Sequence, residues 1–197
     1  MLQEVTREFV DLLHGSLRGR QLHAQYEVRE HDVEPYGLCM LVHSSLKPVK
    51  FATVELPSSM YRDLLTATFA VHGVAFTCGT VHLESMDTQP VREQQLQIIA
   101  RHFEEQGCRN AVIAGDFNFD CHRNFSFHYT GAADGVCTEG KDAELDNSCL
   151  ARLLPDYVDT WRALHPAGSD GTVSVADRGF PGCKTRRFPY NTPETPA

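Results

Sequence analysis

The segment 110–120 places a carboxylate and a carboxamide two residues apart, at the end of a short apolar run. It reads Asn-Ala-Val-Ile-Ala-Gly-Asp-Phe-Asn-Phe-Asp. Residues 111–114 are typical of a strand buried on both faces, and Gly115 lets the backbone turn. Asp116 and Asn118 follow the strand end, where α/β sheets usually carry their sites, and in extended geometry they point to the same side. Such a pair can take a proton from water and donate a hydrogen bond to a phosphate oxygen. A plain turn is the alternative, because Gly, Asp and Asn are common turn formers.

Two more polar clusters stand at element boundaries. Gln3-Glu4 lies close to the first residue, and residues 80–85 read Thr-Val-His-Leu-Glu-Ser directly after an apolar run. Each has an ordinary interpretation when taken alone. His82 can be a packed or surface histidine. Glu4 can be a first-turn acid of a helix, favoured by the helix dipole. Arg62 is equally compatible with a solvated surface or structural ion pair and with a functional group.

The order of the predicted elements around the opening segment indicates an α/β layered fold. Residues 74–81 predict a central strand and residues 90–106 predict a helix, followed by the strand at 111–114, which is a βαβ unit. The helix has an apolar stripe and a polar face. The stripe is formed by Leu96, Ile99, Ala100 and Phe103, and the polar face by Arg92, Glu93, Arg101, Glu104 and Glu105.

The remaining pattern predicts further strands and two more helices. A helix is predicted over 4–13, with Val5, Phe9, Leu12 and Leu13 at helical spacing. Strands are predicted at 26–31, 38–42, 49–56 and 64–71, and His72-Gly73 suits a hairpin turn before the strand at 74–81. A short helix is predicted at 145–154, and residues 157–161 are predicted to be a final strand that enters a short helix. Residues 1–176 are expected to form one domain and residues 177–197 a disordered tail.

The composition argues against several classes of protein. The chain has 197 residues and a formal net charge of −8, so it is not a basic nucleic-acid binder as a whole. The sequence has neither a membrane-length apolar stretch nor a signal core, so an intracellular location in the nucleus or cytoplasm is expected. Seven cysteines without a CxxC pair suit free thiols. Cys121, His122, His128, Cys137 and Cys149 match no compact zinc spacing. Trp161 is read as a core residue rather than a stacking platform.

Taken together, the three polar clusters resemble the endonuclease/exonuclease/phosphatase superfamily. Residues 2–5 look like its metal-binding "LQE" segment, residues 80–85 like its "THLES" segment and residues 115–118 like its "GDFN" segment, in the same order. Residues 60–65, Ser85 and the regions around 92–96 and 159–172 resemble the tyrosyl-DNA phosphodiesterase 2-like branch. The resemblance implies a partial four-layer α/β sandwich of the DNase I type, with two mainly antiparallel or mixed sheets flanked by helices.

The resemblance also implies the chemistry and the role of each residue. It implies a phosphodiesterase dependent on Mg²⁺, or on Mn²⁺, that removes 5′ adducts from DNA ends in DNA repair, with Glu4 holding the ion. By the same analogy Asp116 deprotonates the attacking water, Asn118 bonds to the nucleophile or the phosphorus oxygens, and His82 donates to a non-bridging oxygen. The resemblance gives three further residues supporting roles. Ser85 would contact phosphate, Arg62 would brace a carboxylate or contact the substrate, and Glu84 would support the site from behind the residues that touch the substrate.

The sequence departs from the family pattern at both ends. An Asn on a strand before the "LQE" segment and a late Ser-Asp-His motif both lack a match in this sequence. We therefore expect a partial form of the domain with little or no activity, because a site that loses a principal member loses most of its rate. Two alternatives stay open. One is the same chemistry on RNA, a phosphoinositide or sphingomyelin, and the other is a non-catalytic binding fragment. The sequence leaves the oligomeric state open.

Overall fold

The computed structural model describes residues 1–119, 145–160, 163 and 188–189. The strands are β1 (Leu2–Val5), β2 (Tyr26–His31), β3 (Gly37–His43), β4 (Lys50–Glu55), β5 (Asp63–Val71), β6 (Val74–His82), β7 (Ala111–Asp116), β8 (Tyr157–Val158) and β9 (Phe188–Pro189). The helices are α1 (Arg7–Gly15), α2 (Leu17–His23), α3 (Gln89–Glu105) and α4 (Cys149–Leu153), and a 3-10 turn spans Asp146–Ser148.

The strands form two main sheets. The first sheet is antiparallel and has the order β1-β3-β2. The second has the order β4-β5-β6-β7, antiparallel except for the parallel pair β6 and β7, which α3 connects. The predicted βαβ unit is therefore confirmed. The predicted hairpin is confirmed too, since His72 and Gly73 have φ values of 50° and 79°, the left-handed geometry of the tight turns that join antiparallel strands.

Alternating side chains pack the two sheets together and bury their outer faces under helices. Leu38, Met40 and Val42 of β3 pack against Leu65, Ala67 and Phe69 of β5 between the sheets. Val10 of α1 packs on the other face of the first sheet, with Val5 and Cys39. On the far face of the second sheet the largest cluster joins β6 and β7 to α3 and α4. The layers run helix, sheet, sheet, helix, which confirms the four-layer α/β sandwich.

The predicted helix over 4–13 is wrong at its start. Residues 2–5 form β1 instead, and the helix begins after Thr6, whose side chain accepts a hydrogen bond from the backbone N–H of Phe9. Its apolar face is also shifted, because Val10 and Leu13 are buried while Phe9 is 41% and Leu12 63% exposed. A four-residue strand has too few residues to show a period of two. Glu4 is accordingly a strand residue and not a first-turn acid.

The predicted position of Arg92 on the polar face of the long helix is wrong as well. Arg92 is completely buried, and Gln95 on the same side of α3 is buried with it. Arg92 lies four residues before Leu96, so it belongs to the same face as the apolar stripe. The other charged residues predicted for the polar face are exposed or half-buried.

Most of the predicted strands agree with the structure to within one or two residues. The strand predicted at 111–114 extends to Asp116, although Val112 and Ala114 are only half-buried. Residues 146–153 are helical, close to the predicted 145–154. Trp161 lies outside the described residues. Of the predicted tail, Phe188–Pro189 pairs with β8, and the rest lies outside the described part.

Candidate active site

Three candidate residues lie together where β6 and β7 end. The parallel register places His82 beside Asp116, and β1 brings Glu4 from the first sheet to the same end. The close pairing of β6 and β7 requires Gly115, because a Cβ on that residue would lie 1.9 Å from the carbonyl oxygen of Val81. The φ of Gly115 is 151°, which side-chain-bearing residues rarely adopt.

A β-bulge directs Glu4 into this cluster. The pairing of β1 with β3 changes register between Leu2 and Val5, and Glu4 inside the bulge has a φ of 55°. Bulges re-aim side chains and are frequent beside active sites. The Glu4 carboxylate is 68% exposed, and one of its oxygens lies 3.9 Å from Nε2 of His82. A non-glycine residue with positive φ is uncommon and costs free energy, so this orientation of Glu4 is held by its surroundings.

His82 lies at the centre of the cluster and is buried. Its Nδ1 lies 2.8 Å from Nη1 of Arg62. Because a guanidinium only donates, Nδ1 must accept this bond, and the neutral ring therefore carries its hydrogen on Nε2. Nε2 lies 3.7 Å from Oδ2 of Asp116 and 3.9 Å from Oε1 of Glu4. Arg62 thus makes His82 a donor that faces the region between two carboxylates.

Arg62 is itself buried and fixed on several sides. Its Nη2 donates to Oγ of Ser85 at 3.2 Å, and its guanidinium lies over the ring of Tyr36 at 5.3 Å from the centroid. Its Nε has no partner within the described part of the chain. The side chain is 4% exposed, so the solvated-surface interpretation of Arg62 is excluded. It contacts His82 directly, and no bond from it to a carboxylate is among its described contacts.

Asn118 and Ser85 bond to one another across the ends of β6 and β7. Nδ2 of Asn118 donates to the carbonyl of Leu83 at 2.7 Å and to Oγ of Ser85 at 3.0 Å. Both amide hydrogens are therefore used, so Oδ1 of Asn118 is the atom available for chemistry, and it is an acceptor. Oγ of Ser85 accepts from Asn118 and from Arg62, which directs its own hydrogen elsewhere.

The loop that contains Asp116 is internally braced. The backbone N–H of Asn118 donates to Oδ1 of Asp116 at 3.0 Å, and the N–H of Leu83 donates to the Asp116 carbonyl at 2.8 Å. Asn118 has a φ of 51°, which asparagine tolerates better than most residues. The Asp116 side chain is 16% exposed, so its carboxylate is largely withdrawn from water but reachable.

Glu84 lies outside the cleft and holds a neighbouring loop. Its carboxylate accepts hydrogen bonds from the hydroxyl of Ser58, from the hydroxyl of Ser59 and from the backbone N–H of Ser59. Burial alone would raise the pKa of Glu84, but these bonds and the charge of Arg62 outweigh it and lower the pKa below its ordinary value. Glu84 fixes the loop between β4 and β5, from which Arg62 enters the site.

Buried polar residues of α3 hold the segment that carries Ser85. Nη1 of Arg92 donates to the carbonyls of Glu84 at 3.2 Å and of Met86 at 2.7 Å, while Nη2 pairs with Asp146 at 3.4 Å. Gln95 accepts from the backbone N–H of Glu84. Burial lowers the pKa of Arg92, and the Asp146 carboxylate opposes that effect. Arg92 therefore fixes the backbone on both sides of Ser85.

The donor set fits a hard divalent cation. Among the described residues, no group of three or more His, Cys, Asp or Glu side chains is arranged to hold a metal. Mg²⁺ does not require one, because it is usually bound by one or two carboxylates with waters and substrate oxygens completing its shell. Glu4 supplies an exposed carboxylate of this kind, close to Asp116 through their common neighbour His82.

The other candidates fall outside this cluster. Cys39, Cys78, Cys108 and Cys149 are free thiols, and burial raises the pKa of Cys149 to about 11. The other residues considered with Cys149 as zinc ligands, Cys121, His122, His128 and Cys137, lie outside the described residues. A cavity of about 650 Å³ lies away from the site, between the end of α3, the start of β7 and the segment after α4. No helix in the described part of the chain is long and apolar enough to cross a membrane.

The structure brings six of the seven predicted site residues into one cluster and places Glu84 behind it. Sequence reasoning missed Tyr36, Arg92, Gln95 and the two serines that hold Glu84. Only Arg92 and Gln95 carried a signal, since both fall on the apolar face of their helix. The contacts of Tyr36, Ser58 and Ser59 join residues 25 or more apart in the chain, so no local pattern predicts them.

Neither a family model nor a curated protein sequence matches this chain. Solved structures do. A humanized D. rerio TDP2 is 20% identical over 99% of this chain and 70% of that chain, with a TM-score of 0.64. D. rerio TDP2 complexed with single strand DNA product is 20% identical over 95% of this chain and 68% of that one, with a TM-score of 0.60. The human Nocturnin catalytic domain with bound sulfate is 15% identical over 95% of this chain and 66% of that one, with a TM-score of 0.58.

The match is one of backbone architecture. The chain spans between 36% and 70% of the length of the TDP2 structures that it matches. The two sheets and the flanking helices agree with the fold that the sequence motifs imply. The described chain has the DNase I-like fold that it shares with these structures.

Proposed function

We propose that the cluster is a metal-assisted phosphodiesterase site that acts on DNA ends. One observation carries the proposal. Nε2 of His82, the proton-bearing nitrogen, faces two carboxylates at 3.7 and 3.9 Å, and a buried arginine fixes that tautomer. Phosphoryl hydrolysis needs this combination of groups: a hydrogen-bond donor to the phosphate oxygens, a base that takes a proton from water, and a carboxylate that binds a cation.

Each residue of the cluster has a distinct task in this reaction. Asp116 takes the proton of the attacking water. Asn118 accepts a hydrogen bond from the same water through Oδ1, because its Nδ2 hydrogens are held by Leu83 and Ser85. Nε2 of His82 donates to a non-bridging phosphate oxygen, and the Ser85 hydroxyl donates to another. The water oxygen bonds to phosphorus, the phosphoester bond breaks, and the leaving oxygen acquires a proton.

A divalent cation held by Glu4, Mg²⁺ or Mn²⁺, supplies charge that stabilises the phosphoryl transition state when it is bound. Glu4 is suited to this because its exposed carboxylate keeps room for metal-bound waters. A bound cation also reverses the local charge of an acidic cleft, which matters in a chain of net charge −8.

DNA is the substrate class that the proposal commits to. The support is the likeness to D. rerio TDP2, whose structure is complexed with single strand DNA product. Attack at an end needs few phosphate contacts, so the overall negative charge does not oppose it. A location in the nucleus or cytoplasm follows from this proposal.

Turnover measured with paired variants tests the function. The purified chain is assayed with Mg²⁺, with Mn²⁺ and with EDTA on a single-stranded oligonucleotide carrying a 5′-phosphotyrosyl group, and on an RNA of the same sequence. Asp116→Asn should lower kcat by at least about 100-fold, as loss of a positioned base does. Asp156→Asn, an exposed acid after α4, is the matched control and should leave kcat unchanged.

Each result has one meaning. Metal-dependent cleavage of the DNA that Asp116→Asn abolishes supports the proposal, and a preference for RNA replaces the substrate class. Binding of the DNA without any cleavage, at enzyme concentrations equal to substrate, contradicts catalysis and supports the non-catalytic alternative. Cleavage that survives Asp116→Asn places the chemistry elsewhere.

A further inference from the structure

A second histidine–carboxylate pair lies at the site end of the sandwich. Nε2 of His31 is 2.8 Å from Oδ2 of Asp63. The two residues come from different sheets, His31 from β2 and Asp63 from β5. Their side chains are 33% and 14% exposed, so the pair is reachable by solvent while its hydrogen bond is largely shielded. None of the residues assigned above is part of this pair.

Strand register places the pair next to His82. Leu64 pairs with Val81, so continuing the register by one residue sets Asp63 opposite His82, which is itself beside Asp116. Residues directly opposite on antiparallel strands have Cβ atoms about 5 Å apart. Asp63, His82 and Asp116 therefore form a row across three neighbouring strands. They share the face that turns toward the first sheet, as Leu65 of the same strand does.

His31 faces the same space from the opposite sheet. It pairs with Leu38, whose side chain packs between the sheets, and residues opposite in register share a face. Its other charged neighbours are Glu55, which is opposite Asp63 in register, and Asp32, the next residue in the chain. The His31–Asp63 pair thus lies at the end of the apolar layer between the sheets. It places an ionisable side chain on the side of the cleft away from Asp116.

A purely structural link between the sheets does not need these residue types. Nε2 of Gln3 donates to Oγ1 of Thr80 at 2.8 Å and joins the same two sheets with neutral groups. The His31–Asp63 pair joins them with a ring that has a second nitrogen. Asp63 occupies Nε2, so Nδ1 is the nitrogen left to meet a ligand. In the protonated ring Nδ1 is also a donor, and Asp63 balances the charge.

We propose that His31, oriented by Asp63, is a further substrate-contacting residue of the cleft, on the leaving-group side of the phosphodiester. This rests on the proposed function. Nδ1–H of the protonated ring binds the leaving oxygen and transfers its proton to that oxygen as the phosphorus–oxygen bond breaks. The water that forms the new phosphorus–oxygen bond gives its proton to Asp116. His31 ends as the neutral ring with hydrogen on Nε2, still bonded to Asp63.

Binding and cleavage are measured on one set of variants. His31→Gln keeps an amide that can donate to Asp63, so the link between the sheets can persist, and Asp63→Asn removes only the charge. The matched control is His14→Gln, because Nε2 of His14 also faces a glutamate, Glu30 at 3.7 Å, but on the helix-covered side of the first sheet. Far-ultraviolet circular dichroism and melting temperature verify folding of each variant.

The ligands separate contact with the leaving group from general damage. Binding uses a single-stranded oligonucleotide with a 5′-tyrosyl phosphodiester, which keeps the leaving oxygen, with EDTA in place of Mg²⁺ to prevent turnover, followed by fluorescence anisotropy. Cleavage uses two 5′ esters of that oligonucleotide, a p-nitrophenyl ester, whose leaving group needs little protonation, and a tyrosyl ester, which needs more. His31→Gln and Asp63→Asn should weaken binding about fivefold or more. In these two variants the rate of cleavage of the tyrosyl ester should fall at least about tenfold more than that of the p-nitrophenyl ester, within the usual range for general acids. His14→Gln should change neither quantity.

Unchanged binding by His31→Gln, or equal slowing of the two esters, overturns the inference. If Asp116→Asn then still abolishes cleavage, the proposed function stands without it. If the wild-type chain cleaves neither ester but binds the oligonucleotide through His31, the inference stands as a binding contact and the hydrolase proposal fails. If the wild-type chain shows neither binding nor cleavage, both fail.

Discussion

Glu84 and Glu4 carry the same side chain in opposite settings. Glu84 is 1% exposed, and three donors surround its carboxylate. The Glu4 carboxylate is 68% exposed and stands at the rim of the cleft. The first arrangement fixes a loop, and the second leaves an exposed carboxylate, the one to which we assign a cation in our proposal. Motif position alone does not separate the two roles, because what distinguishes them is the set of donors that folding brings to each carboxylate.

The charge of Glu84 should stabilise the fold in a pH-dependent way. Its pKa in the folded state is lower than the ordinary value of 4.5. A depressed folded pKa contributes stability that is fully present above the unfolded pKa and is lost as the pH falls through the folded value. Glu84→Gln should therefore lower the free energy of unfolding at pH 7 by about 1–3 kcal/mol, since it leaves serine donors facing an amide.

Urea denaturation at pH 7 and at pH 3 measures this difference. The gap between wild type and Glu84→Gln should shrink on the acid side of pH 4.5. Glu105→Gln, an exposed acid at the end of α3, is the control and should stay within about 0.5 kcal/mol of wild type. A gap of equal size at both pH values would show that hydrogen-bond geometry, and not charge, is what Glu84 contributes.

At the scale of elements, the buried face of α3 is polar near its N-terminus and apolar further along. Leu96, Ile99 and Phe103 pack on the second sheet, whereas Arg92 and Gln95 nearer the N-terminus bond to the segment that carries Ser85. The guanidinium of Arg92 also lies over the ring of Phe119, 4.9 Å from the centroid. One helix thus holds the loop after β6 in contact with the residues that follow β7.

Removing Arg92 should cost far more than removing an exposed arginine of the same helix. Arg92→Leu leaves the Asp146 carboxylate and two carbonyls without their buried donor, and breaking a buried pair from one side costs about 3–5 kcal/mol. Arg101→Leu alters an exposed position and should cost less than about 0.5 kcal/mol. Equilibrium denaturation measures both. Similar losses in the two variants would contradict the burial of Arg92 and support the solvated face that its charge alone predicts.

Periodicity predicted the elements that have enough residues to show it. Residues 64–71 and 74–81 are two runs of full strand length around a two-residue turn, and the second is apolar or small on both faces, so the hairpin and its central position followed from the sequence. Residues 2–5 form a short strand with a bulge, and the helical spacing of Val5, Phe9 and Leu12 outweighed them. The three site motifs were predicted from residue types. Their connections were not, because Arg62–His82 and Arg92–Asp146 join residues 20 and 54 apart.

At the scale of the whole molecule, the site is shared between the two sheets. Glu4 comes from the first sheet, while His82 and Asp116 come from the second. The two sheets also meet through an apolar layer and through the Gln3–Thr80 and His31–Asp63 hydrogen bonds. A cation held by Glu4 would therefore lie between the layers of the sandwich, next to His82 and Asp116 of the second sheet. Metal binding is then linked to the stability of the whole fold and not only to the geometry of one loop.

Mg²⁺ should raise the melting temperature by binding to the Glu4 carboxylate. A ligand at about 100 times its Kd stabilises the folded state by about 2.7 kcal/mol, which corresponds to roughly 5–10 °C in a chain of this size. Differential scanning calorimetry with Mg²⁺ and with EDTA measures the shift. Glu4→Gln should remove most of the shift, because Glu4 is the proposed ligand of the cation. Glu34→Gln, an exposed acid paired with Arg7, should retain the full shift. A shift that persists in Glu4→Gln would show that Glu4 is not the ligand of Mg²⁺.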